Sequence, residues 1–359
     1  MNRNFGLDLM RAISIWMVLA QHGGINIPGL RPLRIGGIGV EIFFVLSGFL
    51  IGGILFKEID KKMPLSQTLK TFWTRRWFRI LPLYYLTILF KFIVIDHSIG
   101  YNIIYYLLFL QNNFYGIQFF GVSWSLVIEE WFYLFAPFYL ILATNFLKTE
   151  KKIFLAIIAF VAFVNLARLG YVINGDVPYE GVNSNFPFRF DSLFLGVLLA
   201  FVKHKKWILY EKLKSPLIAI AGFFMFVGYI YYYWTLSYPN QLIDSMLLPR
   251  TIGFFILPFT VALTVPYISA IKFNQHRNIL TKAFYELITY TSVLTYAIYL
   301  IHTFIFPIIL NNINKKFCSS SLTIFSILIY QNINQNNSIT TFETKMDTLR
   351  KCKLPNSIK

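Results

Sequence analysis

Residues 9–27 read LMRAISIWMVLAQHGGINI. The stretch is close to the length of about 20 apolar residues that a helix needs to cross a bilayer, and one arginine and one histidine interrupt it. At 100° per residue, the eleven steps from Arg11 to His22 return to within about 20° of the starting direction. On a helix both side chains therefore share one face, about 16 Å apart along the axis. A cation at the centre of a membrane helix costs about 2.5–3.5 kcal/mol on insertion scales, so a retained one marks a functional position by default. Comparable apolar runs follow near 35–56, 80–95, 124–147, 153–173, 187–202, 214–234, 246–268 and 287–310, with a weaker one at 318–333. The reading is an all-α polytopic membrane protein of about ten transmembrane helices.

Composition agrees. The chain is 56% hydrophobic and 14% charged, with a mean hydropathy of +0.57, whereas a soluble domain carries about 25% charged residues. Its 38 Phe and 22 Tyr suit helices that meet lipid and its interfaces. The first run has a weak basic leader, is broken by Arg11 and lacks a clear A-x-A site, so it reads as an uncleaved span. Cys318 and Cys352, the two cysteines, give neither a disulfide framework nor a zinc spacing, and no metal site is expected.

A net charge of +17 raises the question of nucleic acid, and its placement answers it. With the N-terminus inside, 24 of the 33 Lys and Arg fall in cytoplasmic segments. Only Arg31, Arg34, Lys315 and Lys316 fall outside, and Arg11, Lys91, Arg168, Arg189 and Arg250 lie inside helices. That asymmetry places both termini in the cytoplasm. Membrane lipid is the expected partner of the surplus charge, and nucleic acid is not. Residues 1–335 read as one membrane domain and 336–359 as a basic cytoplasmic tail. The longest stretch between spans is 96–123. Its apolar piece, Ile103 to Leu110, is too short to cross and reads as a re-entrant or interfacial helix.

Four further constellations follow in order. Residues 36–51, GGIGVEIFFVLSGFLI, place Glu41 near the outer end of the second span. Residues 72–85, FWTRRWFRILPLYY, place Arg75, Arg76 and Arg79 at the cytoplasmic mouth of the third. Residues 123–134, SWSLVIEEWFYL, put Glu129 and Glu130 inside a span, and residues 296–302, YAIYLIH, do the same for His302. Together with LDLMRAISIWMVLAQH at 7–22 and RFDSLFLG at 189–196, this ordered set resembles the acyltransferase family 3 membrane proteins, which transfer acyl groups to sugars. The resemblance runs from about residue 5 to 310. The tail departs from the family's acidic ending, and TFETKMDTLRK at 341–351 is only a faint counterpart of it. The form resembled is the stand-alone one, without an extracytoplasmic esterase-like domain.

The resemblance implies an integral membrane O-acyltransferase of the bacterial inner or plasma membrane. It would move an acyl group, acetyl first, from acyl-CoA to a hydroxyl of an envelope carbohydrate such as O-antigen, exopolysaccharide or a lipid-linked sugar. Acetyl-CoA is then a donor substrate, and no tightly bound cofactor is implied. On residue chemistry alone the chain offers a membrane site with paired ionisable groups, which suits a transporter of acyl groups or glycan intermediates equally well; an inactive relative is the third reading.

His22 is the expected catalytic base, because a neutral imidazole accepts a proton in the useful range; the competing reading is an interfacial histidine. Arg11 either orients the His22 pocket or binds donor phosphates, unless it snorkels to the inner surface. Arg75, Arg76 and Arg79 fit an anionic nucleotide donor, since guanidinium groups pair bidentately with phosphate. Ordinary positive-inside charge would also account for any one of them. Glu129 and Glu130 point about 100° apart and are costly at membrane depth. They hold His22 or an arginine, move a proton, or form an interhelical ion pair. Glu41, Arg189 and His302 are weaker candidates for acceptor binding or support, with an interhelical hydrogen bond as the competing role of His302.

Overall fold

The computed structural model describes residues 3–22, 35–237, 242–273 and 278–333, with side chains as far as Phe306. Among the described residues all regular structure is helical. Nine long helices coincide with the nine strong apolar runs: α1 (Phe5–His22), α2 (Gly36–Asp60), α3 (Leu65–Phe90), α4 (Trp124–Leu147), α5 (Glu150–Gly175), α6 (Phe190–Lys205), α7 (Pro216–Ser237), α8 (Gly253–Ile268) and α9 (Ile279–Ile333). Six helical stretches are long and apolar enough to cross a membrane: Gly36–Asp60, Leu65–Ile95, Gly121–Leu147, Glu150–Gly175, Pro216–Leu236 and Ile279–Phe306. The protein is an integral, multi-pass membrane protein.

Residues Met1–His302 form one compact unit and Thr303–Lys359 a second. Of the second, the backbone through Ile333 is described, and it is helical. A turn was expected between the ninth and tenth apolar runs. None forms, because residues 308–333 contain neither Gly nor Pro to stop the helix. The tail with Cys352 and TFETKMDTLRK lies outside the described residues, as do Arg31, Arg34 and His276.

One connection is more helical than its sequence reading, and the apolar piece of another forms the short helix that was expected. The segment 57–79, expected as a cytoplasmic connection, is mostly helix: α2 continues to Asp60 and α3 starts at Leu65. The reversal is confined to Lys61–Pro64, where Lys62 takes a left-handed φ of 54° and Pro64 supplies the extended residue before the first turn of α3. The three arginines of this segment therefore sit on a helix. The segment 96–123 is a set of short helical turns, Ile103–Leu107 and Gln111–Phe114 among them. They are tied down by side chains of the spans: the Tyr84 hydroxyl donates to the Tyr106 carbonyl at 2.9 Å, and the Trp131 indole donates to the Phe109 carbonyl at 2.9 Å.

The central contact is between α2 and α6, with α1 and α8 against α2 and α5 and α8 against α6. Within lipid, association cannot rely on burying apolar surface from water, so close backbone approach and hydrogen bonding carry it. Gly48 lies against the Leu193 carbonyl, and Gly196 lies against Val45 and Gly48, so that a Cβ at either place would collide with backbone. At one end of the contact Arg189, which lies just ahead of α6, forms an ion pair with Glu41. The Ser192 hydroxyl donates to the same carboxylate at 2.9 Å. Behind them Arg168 of α5 donates to Asp191 at 2.9 Å, to the Asn165 amide oxygen at 2.5 Å and to the Phe188 carbonyl at 2.6 Å. Both arginine side chains are fully buried, and each charge has a carboxylate partner within the protein.

A methyl group at Gly48 or Gly196 must push α2 and α6 apart. Gly48→Ala and Gly196→Ala are each expected to cost about 1–3 kcal/mol or more, read as a lowered Tm and loss of monodisperse protein in detergent. Gly53→Ala on the same helix α2 meets nothing within 4 Å and should leave Tm unchanged or slightly raised. Equal behaviour of the three variants would contradict the close approach.

Candidate active site

Within the first unit a cavity of about 490 Å³ is bounded by α1, α2, α3, α4 and the first part of α9. Its walls are mostly apolar, Phe43, Leu50, Leu83 and Leu294 among them, and a few polar groups converge on it: Arg11, Arg76, Arg79, Glu129, Ser47, Tyr133, Tyr296 and Tyr299. An apolar cavity with a few placed polar groups is the form that small-molecule sites take. Four of the sequence candidates, from three different helices, thus share one space.

Helical spacing decides which arginines enter. Arg76 and Arg79 are three residues apart on α3, share a face, and line the cavity. Arg75 points away: it is 72% exposed, with its guanidinium 3.6 Å from Glu58. The guanidinium of Arg76 lies 4.5 Å from the centre of the Tyr133 ring, and its Nε is buried with no hydrogen-bond partner. Glu129 faces Arg76, Tyr133 and Ser47, and the Tyr133 and Ser47 hydroxyls are 2.8 Å apart. Glu129 is half-buried because it opens onto the cavity. Glu130, the next residue, is buried beside Trp77 and does not line it, as the 100° offset requires. Trp73 fixes α3 to α4 by donating to the Tyr133 carbonyl at 3.0 Å, and the Tyr296 hydroxyl fixes α9 to α3 through the Ile80 carbonyl at 3.0 Å.

Arg11 enters the cavity from α1 while its Nη1 donates to Asp8 at 3.0 Å. His22, eleven residues on, is exposed at the helix end. Its ring lies 5.0 Å from that of His302, edge to face. His302 is buried, with Nδ1 2.7 Å from the Tyr299 carbonyl. The Tyr299 ring, 5.8 Å from His302, lines the cavity, and its hydroxyl is held by the Val122 carbonyl at 2.8 Å and Ser125 at 2.7 Å. The two histidines from opposite ends of the sequence are therefore neighbours, separated from the cavity by one turn of α9.

Glu41 and Arg189 come together, but with each other. Arg189 also donates to the Asn183 side chain at 2.6 Å and stacks on Phe254, 4.3 Å from the ring centre. Both charges are paired inside the protein, and neither residue lines the cavity. Spacing arguments passed over Asp8, Ser47, Tyr133 and Tyr299. Asp8 was findable, since it stands three residues before Arg11 on the same face. Tyr133 stands one turn after Glu129. Ser47 carried no signal apart from its place in a span.

The acyltransferase domain of acyltransferase family 3 matches residues 4–336. The chain belongs to this family. Among curated proteins, this family member is 28% identical over 326 residues to a peptidoglycan O-acetyltransferase of Listeria monocytogenes, covering 80% of this chain and 49% of that one. It is 34% identical over 218 residues to a Staphylococcus aureus (strain COL) protein named "Putative O-acetyltransferase", covering 55% of this chain and 34% of the other. A Bacillus subtilis protein named "Putative peptidoglycan O-acetyltransferase" is 30% identical over 236 residues, covering 59% and 35%. The chain thus spans a third to a half of the length of these relatives. No solved structure matches.

If Glu41 and Arg189 serve the fold, removing one partner strands the other charge in the interior. Arg189→Met alone is expected to cost about 3–5 kcal/mol, seen as loss of folded protein in detergent. The double variant Glu41→Leu/Arg189→Met should recover most of it. A double variant as damaged as the single one would contradict an ion-pair role.

Proposed function

We propose that this family member is a membrane O-acyltransferase that moves an acetyl group from acetyl-CoA to a hydroxyl of an envelope glycan. Glycans of the peptidoglycan type named by its relatives are the first acceptors to test. The observation that carries the reading is the shared cavity: Arg11, Arg76 and Arg79 supply three cations against the single carboxylate of Glu129, inside a chain that belongs to an acyltransferase family. A surplus of guanidinium groups in an apolar enclosure suits an anionic donor, because charge-assisted bonds to phosphate are strong and bidentate. Arg76 and Arg79 present theirs to the cavity from one face of α3.

In this reading both termini are cytoplasmic and the arginines face the cytoplasmic side, where the donor is. Arg76 and Arg79 hold its phosphates, Arg75 contributes only diffuse charge, and the pantetheine arm follows the apolar wall towards Tyr299 and the two histidines. His22 is the base. The acceptor oxygen attacks the thioester carbonyl, its proton passes to the imidazole, the carbon–sulfur bond breaks, and the proton returns to the departing thiolate. His302 orients His22 from its buried position. Glu129, with Tyr133 and Ser47, sets the place of Arg76.

The test uses the chain in proteoliposomes with labelled acetyl-CoA and a glycan acceptor. His22→Ala is expected to lower turnover by about 10²–10⁴-fold with donor affinity retained. Arg76→Ala should raise KM for acetyl-CoA by about 10–100-fold, the loss of one charge-assisted contact, while Arg75→Ala stays near wild type. Near-normal turnover in His22→Ala would move the base elsewhere, with Glu129 next in line. Equal effects of Arg75→Ala and Arg76→Ala would remove the cavity from donor binding.

A further inference from the structure

Asp8 is a buried carboxylate in the first turn of α1, only 3% exposed, and four hydrogen bonds end on it. Arg3 grips it with two, Nε to one oxygen at 2.9 Å and Nη2 to the other at 2.8 Å. On the oxygen that takes Nη2, Arg11 Nη1 also donates at 3.0 Å and the Ser292 hydroxyl at 2.7 Å. The carboxylate is therefore saturated, immobile, and shared by α1 and α9. Of its two arginines, Arg3 lies outside the cavity lining and Arg11 within it.

We infer that Asp8 is a positioning residue for acyl transfer, holding the guanidinium of Arg11 in the cavity in a fixed orientation. An arginine side chain carries about 2 kcal/mol of rotamer entropy, and a planar fork that is already oriented loses less of it on binding. The contact with Asp8 uses one of the five N–H donors of Arg11 and leaves the others for a ligand. Arg11 also stands in the repulsive field of Arg79 and Arg3, which would drive a free side chain of this length out of the cavity. Asp8 opposes that repulsion. Because Arg3 takes both carboxylate oxygens, the group stays in place whether or not a donor is bound.

Arg3 and Ser292 provide the contrast. Ser292 anchors Asp8 to α9, and Arg3 anchors it to the chain ahead of α1. A carboxylate serving only the fold would matter through those two contacts and not through Arg11.

The inference rests on the reading of the cavity as the donor site, and a double-mutant cycle separates the two. Asp8→Asn, Arg11→Ala and the combination are assayed for acetyl transfer in proteoliposomes, with Ser292→Ala and Arg3→Leu as structural comparisons and Tm measured for all. Asp8→Asn is expected to lower kcat/KM by about 10–100-fold and to add less than about threefold in the Arg11→Ala background. Ser292→Ala and Arg3→Leu should lower Tm, and whatever they take from kcat/KM should disappear, as for Asp8→Asn, in the Arg11→Ala background. Should Asp8→Asn fail to accumulate, Asp8→Glu keeps the charge and displaces it by one methylene. It should then fold and show the same non-additivity with Arg11→Ala at smaller amplitude. Additive effects of Asp8 and Arg11 in an active wild-type background overturn the assignment alone. Wild-type protein that neither binds nor turns over acetyl-CoA overturns the donor reading and the assignment with it.

Discussion

The backbones of α2 and α6 touch at Gly48 and Gly196, and that contact fixes where everything on α2 must point. Glu41, Val45, Gly48 and Gly52 follow one another at helical spacing and turn to α6 and the residues leading into it. Ser47, Leu50 and Ile54 then fall on another face, and all three line the cavity. One helix thus serves the interior contact on one side and the candidate site on the other. Rotating or separating it would spoil both at once. The ion pair of Arg189 with Glu41 at one end of the same contact sets its register, because buried charges leave little freedom in how two helices slide past each other.

Charge inside this membrane protein is treated in two ways. Around α6 each arginine is matched by a carboxylate: Arg168 by Asp191, with Asn165 and a carbonyl beside it, and Arg189 by Glu41, with Asn183 beside it. Such a network contributes order more than net stability, because desolvation offsets most of the attraction. Around the cavity the cations outnumber the carboxylates, and Asp8 is divided between two arginines. An unbalanced positive charge in an enclosed, apolar space is costly unless something negative enters it. That difference, rather than the mere presence of ionisable groups, separates the candidate site from the structural network.

Much of this was legible in the sequence. The nine long helices follow the apolar runs, since a 3.6-residue helix is the only local way to satisfy backbone groups in lipid. The membership in acyltransferase family 3 was carried by motifs that sit on six of them. Arg11 and Glu129 belong to one cavity because each stands on a helix that borders it. The illegible part concerns direction and pairing. Which of Arg75, Arg76 and Arg79 turns inward depends on how α3 is rotated against α4, and Trp73 and Tyr133 set that rotation. That Glu41 and Arg189 would consume each other, and that His22 would meet His302, are contacts across 148 and 280 positions of chain. No spacing rule reaches that far. The unbroken α9 was missed because a second apolar run invited a second span, although no residue between the two runs breaks a helix.

The central claim is that the cavity between α1, α2, α3, α4 and α9 holds the acyl-CoA donor. It is tested most directly by a photoreactive acyl-CoA analogue, with the diazirine on the acyl chain, irradiated with the protein in proteoliposomes and mapped by mass spectrometry of the labelled peptides. The account expects labels on the cavity wall, at Leu83, Tyr296 and their neighbours, and expects an excess of acetyl-CoA to abolish them. Labels confined to positions away from that wall, or labels that excess acetyl-CoA does not displace, would contradict it.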